Sequence, residues 1–208
     1  MQVKRRKSNY IIFLFGVISL LIACGYLLYK YVSYKEEVIY EINLINDYIE
    51  QEATQEEVQN EPIKEEKKEN KINYNIIIEI PKISLKKGLC RVNESCNKVS
   101  RNIEVIKESD MPDIKNGNLI LASHNGNSSV SFFNKLSKLN TNDKIYIYYK
   151  NIKYEYKLDS YYEIEKTGNA VIHRDGTKTT LILITCKLHT TKQRVYIAYL
   201  NKTSKYKE

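Results

Sequence analysis

Hydrophobic positions fall into three regimes along the chain. Tyr10 to Tyr29 is a run of twenty residues without a charge. As a helix rising about 1.5 Å per residue it spans about 30 Å, the thickness of a bilayer core. From Ser33 to about Gln55, Val38, Ile42, Ile45 and Ile49 recur every three or four residues, which predicts a weakly amphipathic helix continuing the first. Residues 56–73 are mostly Glu, Lys, Asn and Gln, a composition that buries too little surface to fold and reads as a solvated spacer. Beyond Asn75 the pattern becomes that of strands. Residues 76–80 form an aliphatic run stopped by Pro81, and 82–89 make a second strand. Residues 99–106 give a short strand or a helical turn, 109–113 and 116–118 carry turn residues, and 119–123 are a strand ending at His124. The loop 125–129 caps a short helix whose Phe132, Phe133, Leu136 and Leu139 face the core. Residues 145–149 and 152–162 alternate around Lys150 and Asn151 as a hairpin. Asp175 and Gly176 turn the chain into 179–186, a buried strand ending at Cys186, and Arg194 opens a last strand through 200. Seven or eight short strands with one or two short helices in about 130 residues predict a mainly β domain, a small barrel or sandwich with its own core.

Charge divides the chain in the same places. Residues 1–30 carry +5, residues 31–71 carry −7 and residues 72–208 carry +10, together the +8 of the whole. Lys4, Arg5, Arg6 and Lys7 precede the apolar run, which is longer than the core of a cleaved signal and ends among interfacial tyrosines. This predicts an uncleaved anchor with a cytoplasmic tail (1–9), a span in the lipid bilayer (10–29), a charged spacer (30–73) and an extracellular domain (74–208). With the chain in a membrane, its basic outer part suits an anionic cell envelope, and no nucleic-acid partner is expected.

Four cysteines are present. Cys24 lies in the span. Cys90 and Cys96, six apart, pair in an oxidising compartment or remain half-buried thiols; the spacing leaves both open. No CxxC or HxxxH spacing supports zinc, so no metal and no cofactor is expected. Cys186 is then the odd cysteine, as a reactive thiol would be.

His124, Cys186 and Arg194 each sit where a predicted strand begins or ends. A thiol is nucleophilic as thiolate, which a neighbouring imidazolium or guanidinium favours. A histidine within reach protonates a leaving amine and deprotonates an incoming one. An arginine can steady the oxyanion of a tetrahedral intermediate. Taken singly, such a cysteine is usually core, such a histidine a structural hydrogen-bonder and such an arginine a surface cation.

Residues 76–200 resemble the sortases, membrane-anchored cysteine transpeptidases of Gram-positive bacteria. The resemblance is carried by Ile80-Pro81-Lys82-Ile83, by Asn118 through Ser123 and His124 ahead of a Phe-bearing segment, by Leu183-Ile184-Thr185-Cys186, and by Arg194 before Val195. It departs at Ile182, where a Thr is expected, and at Ser123, where a Gly is usual. It implies an eight-stranded sortase barrel behind the transmembrane helix. Cys186 would be the nucleophile, His124 the acid and base, and Arg194 the oxyanion or substrate-orienting cation; Thr185, Ala122 and Ile184 would border the substrate. The substrate implied is an LPxTG-like sorting signal at the C-terminus of secreted proteins, and the acceptor an amine of the cell-wall peptidoglycan precursor. A short segment between Tyr162 and Thr179 and the lack of an aromatic lid suggest a class A- or class D-like member. Glu104, Glu108, Asp110 and Asp113 do not fit the calcium pattern of some class A members and read as a solvated loop. Cys186 lacks the Ser-x-Gly lead of an L,D-transpeptidase and the helical setting of a papain-like protease. The alternative from another class is a membrane-tethered extracellular adhesion or binding module with Cys186 as inert core.

Overall fold

The computed structural model describes residues 2–55 and 74–206. The spacer expected over 56–73 lies outside the described residues. The chain divides into two compact units, Met1–Asn43 and Leu44–Glu208.

The first unit is helical. Helix α1, Gln2–Gln55, contains the apolar stretch expected at 10–29. Within it Phe13–Glu36, 24 residues, is long and apolar enough to cross a bilayer, with all its described side chains exposed. It fits a single-pass membrane anchor.

The second unit is an eight-stranded sheet: β1 Tyr74–Ile80, β2 Leu85–Cys90, β3 Glu104–Val105, β4 Asn118–Ala122, β5 Lys144–Tyr149, β6 Ile152–Glu165, β7 Thr180–Cys186 and β8 Lys192–Lys205. Their order is β2-β1-β5-β6-β8-β7-β4-β3, and the edge strands β2 and β3 come together, so the sheet nearly closes into a barrel. All neighbours are antiparallel except β4 and β7, which run parallel. Short helices are reduced to two 3-10 turns, Pro81–Ile83 and Leu136–Lys138. The first arises because Pro81 ends the β1 ladder, and the chain recovers through Ser84 in the left-handed region (φ 54°). The helix expected after residue 129 is a series of turns, yet Phe133, Leu136 and Leu139 are buried as the pattern requires. The β5–β6 hairpin turns on Lys150 (φ 49°) and Asn151 (φ 56°), the paired positive values of a type I′ turn whose twist matches the strands it joins.

Side chains on the two faces of the sheet form separate clusters. The barrel interior takes Ile76, Ile78, Leu119, Leu121, Phe133, Ile147, Tyr156, Leu181, Leu183, Tyr196 and Ala198. At about 1.5–3 kcal/mol per buried large aliphatic or aromatic side chain, this is the main stabilising mass of the fold. The outer face of β4, β7 and β8 carries a second cluster of Ile120, Ile182, Val195 and Ile197. A third, on the outer face of β1 and β5, joins Ile45 of α1 to Ile77, Cys90 and Tyr148. Cys90 and Cys96 form a disulfide with their Cα atoms 6.0 Å apart, which resolves the alternative that spacing left open.

Candidate active site

The parallel pairing of β4 with β7 sets the centre of the site. Asn118 lies opposite Thr180 and Ala122 opposite Ile184, so both strands reach the same barrel end together. The ladder begins where the Gly117 carbonyl accepts from Thr180 N at 2.9 Å. No side chain fits at residue 117, because a Cβ there would lie 2.9 Å from the Ile114 carbonyl oxygen. At the far end Ser123 N donates to the Ile184 carbonyl at 3.2 Å. The Thr185 hydroxyl donates to the Ser123 carbonyl at 2.9 Å, and the Asn125 amide donates to the Cys186 carbonyl at 2.8 Å. His124 is therefore held between two residues that both bond to β7, and continuing the register places it beside Cys186.

Pleating decides which side chains share the site. Ile182 and Ile184 belong to the outer cluster, and Leu181 and Leu183 to the interior. Alternation then puts Cys186 on the outer face, with Ala122 and His124 beside it in register. Cys186 is a free, half-buried thiol and His124 is exposed. The outer cluster leads toward the sulfur: Ile120, Ile182 and Val195 are buried, and Tyr162, Ile164, Ile172 and Ile184 pack against them. The segment carrying Ile172 is fastened by Tyr162, whose hydroxyl donates to the Val171 carbonyl and accepts from His173 N, both at 2.9 Å. Sequence inspection did not single out Tyr162 or Ile172. The signal present was an aromatic on the alternating face of a long strand, which does not tell floor from wall.

Two further expected site residues have bonds of their own. Thr185 is 4% exposed, and its hydroxyl ties β7 to β4. Arg194 pairs with Thr185, whereas Cys186 pairs with Gln193. Since Tyr196 and Ala198 are interior, Arg194 shares their face and not that of the sulfur. Its Nε donates to Glu163 Oε1 at 3.1 Å, and Lys187 Nζ donates to Glu163 Oε2 at 2.8 Å. Hydrogen bonds from Lys187 and Arg194 hold the Glu163 carboxyl below its ordinary range. Burial works against the charge on Arg194, but bonds to Glu163 and Tyr196 outweigh it and raise its pKa. In Cα register Ala122 lies beside Ile184 and the His124 end of β4 beside Cys186, while Thr185 lies opposite Arg194.

The remaining chemistry-bearing group is Cys90, Glu94 and Cys96, whose ligand atoms lie within 4.8 Å of one another. Both sulfurs are committed to the disulfide, which leaves a single carboxylate to offer a cation.

Comparison with known proteins agrees with this architecture. A family model described as the Sortase domain matches residues 78–201. A curated sortase A of Bacillus anthracis is 30% identical over 109 residues, covering 52% of this chain and 50% of that protein. The chain thus spans about half the length of the curated relative it matches. The structure of Listeria monocytogenes sortase A superposes with a TM-score of 0.54 at 24% identity, covering 65% of this chain and 92% of that one. A Clostridium perfringens Sortase D5 transpeptidase superposes with a TM-score of 0.57 at 19% identity, covering 78% and 98%. At these identities the two structures speak for the fold alone. The family match covers more than half of the chain, its strands and the Cys186 end of β7 included, and the protein belongs to the sortase family.

Proposed function

We propose that this protein is a membrane-anchored cysteine transpeptidase that cuts a sorting signal in secreted proteins and passes the new C-terminus to an amine. One observation carries the reading: a free thiol at the end of β7, with the His124 end of β4 beside it in register, adjoins an apolar cluster on the outer face of β4, β7 and β8. The half-buried Ile172 and Ile184 at the rim of that cluster would meet the apolar Leu and Pro of an LPxTG-like signal, with the Thr–Gly bond reaching the sulfur.

In the first half-reaction the Cys186 thiolate attacks the Thr carbonyl carbon, and the carbonyl π electrons move to oxygen. Collapse of this tetrahedral species breaks the C–N bond, and His124 gives its proton to the leaving glycine nitrogen. The product is a thioester on Cys186. An incoming amine then attacks the thioester carbonyl, His124 takes the amine proton, and the thiolate leaves. In cells the acceptor would be an amine of the peptidoglycan precursor. The positively charged segment Lys4–Lys7 would remain cytoplasmic and hold the catalytic domain outside the cell. The class A- or D-like assignment belongs to this reading, and the curated relative is a sortase A.

The full chain in detergent, given quenched Leu-Pro-x-Thr-Gly peptides and an amine such as triglycine, is expected to cleave after Thr and yield the triglycine-extended product. Absence of both cleavage and transfer across a panel of sorting peptides would point instead to the tethered binding module.

A further inference from the structure

The two ends of the sheet, β2 and β3, meet at a seam that side chains close. The Asn102 amide donates to the Gly88 carbonyl of β2 at 2.9 Å, and its oxygen accepts from Ile103 N at 2.8 Å. Asn97 spends both ends of its amide on Val105 of β3, accepting from the N–H at 2.8 Å and donating to the carbonyl at 2.9 Å. Both asparagines are buried, and these bonds satisfy them there. The Cys90–Cys96 disulfide ties the end of β2 to the turn just before Asn97. β3 in turn lies against β4, with Glu104 opposite Ala122, two residues before His124. The two sulfurs are unlike. Cys90 is 1% exposed, clustered with Ile45, Ile77 and Tyr148, and the Asn102 amide donates to its Sγ at 3.7 Å. Cys96 is half-buried, and Glu94 Oε2 lies 3.6 Å from its Sγ, held there by a bond from Arg91 N at 3.1 Å.

We propose that this disulfide is a thiol-exchange site, opened by a dithiol reductant that attacks Cys96, and that opening it loosens the strand end carrying His124. The effect on activity rests on the transpeptidase reading above; the exchange site stands without it. Exchange depends on access to the attacked sulfur and on how readily the other one leaves. Access selects Cys96. The leaving side favours Cys90, because an N–H donor faces its sulfur whereas a carboxylate faces that of Cys96. A thiolate of the reductant forms a bond to Cys96 Sγ as the Cys90–Cys96 bond breaks, and the electron pair departs on Cys90 Sγ. Burial opposes a lasting charge there, so this thiolate takes up a proton from solvent as the turn opens. The reductant's second thiolate then attacks its own sulfur in the mixed disulfide, and Cys96 leaves as a thiolate. Two electrons pass to the protein, and the dithiol ends as a disulfide. The turn bearing Asn97 keeps its hydrogen bonds but loses its covalent tie, and β4 loses firm support on the edge away from β7.

Three readouts on the full chain in detergent test this, and two need no peptide. In the first, the chain is treated anaerobically with a monothiol, quenched in acid, alkylated and mapped by mass. The monothiol adduct is expected on Cys96, with Cys90 newly open to alkylation. Glu94→Gln is expected to speed attack by anionic 2-mercaptoethanesulfonate about threefold and to slow attack by cationic cysteamine about threefold, since it removes one charge beside the sulfur. An adduct on Cys90, or a disulfide that exchanges only after denaturation, overturns the proposal. In the second, hydrogen exchange of the reduced and desalted chain is expected to rise about tenfold or more over 103–106 and 119–124, and to stay in place in β5 and β6. In the third, peptide turnover by the reduced chain is expected to fall about tenfold in kcat with KM little changed, the scale of a displaced catalytic group, and to recover on reoxidation. Cys90→Ser combined with Cys96→Ser should match the reduced chain with no reductant present, and if that variant does not fold the reduced native chain carries the test. Unchanged hydrogen exchange and unchanged kcat after full reduction overturn the link to His124. A native chain that turns over no peptide sinks the transpeptidase reading, and the adduct map and hydrogen exchange then decide the exchange site by themselves.

Discussion

Cys186→Ala is expected to leave no measurable peptide cleavage, a loss of at least about 10⁴-fold in kcat, because no other group can form the acyl intermediate. Cys24 lies in α1, and Cys90 and Cys96 are joined to each other, so no second thiol can take over. The substitution removes one sulfur from a half-buried strand end and leaves the interior cluster untouched. Tm should therefore stay close to native, and peptide binding should persist. Progress curves with a quenched peptide, beside a thermal melt, check both halves. Retained turnover would mean that the chemistry lies elsewhere. Lost turnover with a large fall in Tm would mean that the cysteine is core.

Leu183→Ala is the largest expected loss of stability. Leu183 is 0% exposed, lies opposite Leu121 on β4 and opposite Tyr196 on β8, and belongs to the interior cluster. Its truncation leaves a cavity between three strands that cannot close without moving the ladder, at a cost of about 2–5 kcal/mol. For a domain of this size that is a fall in Tm on the order of 10 °C. Activity should fall at temperatures where the variant is still folded, because the same strand carries Cys186 three residues on. A thermal melt followed by near-UV circular dichroism measures the first, and turnover well below the midpoint the second. A shift of only a degree or two would show that the β4–β7–β8 interior is less tightly packed than the structure has it.

Much of this architecture is readable from residue patterns, and the exceptions have physical causes. The β5–β6 hairpin is visible because alternation on both sides brackets two residues able to adopt positive φ. The cysteine strand is visible because it is covered on both faces, inside by the barrel core and outside by the second cluster, so its aliphatic run is unbroken. Strand β3 is two residues long and carries no periodicity, so 99–106 gives only a vague expectation. The expected helix after residue 129 fails because its apolar spacing also fits successive turns, and Phe133, Leu136 and Leu139 reach the core either way.

The site divides along the same line. His124 and Cys186 are readable as strand ends, and the parallel register of β4 and β7 aligns them. Arg194 is readable as the start of a strand but not as a face. A one-residue change in pairing turns every side chain of a strand over, and that parity depends on how the turn between Lys187 and Lys192 closes. Here the turn pairs Cys186 with Gln193 and Thr185 with Arg194, and the Arg194 guanidinium is bonded to Glu163. Thr185, next to Cys186 in sequence, spends its hydroxyl on the Ser123 carbonyl and ties β7 to β4.

The most direct measurement of the central claim is the intact mass of the full chain during turnover of a sorting peptide, quenched in acid and mapped by proteolysis. The expected result is a transient adduct with the mass of the acyl fragment ending at Thr, located on Cys186, discharged by added amine or hydroxylamine. No such adduct is expected in Cys186→Ala. Turnover without any acyl adduct, or an adduct on a residue other than Cys186, would contradict it.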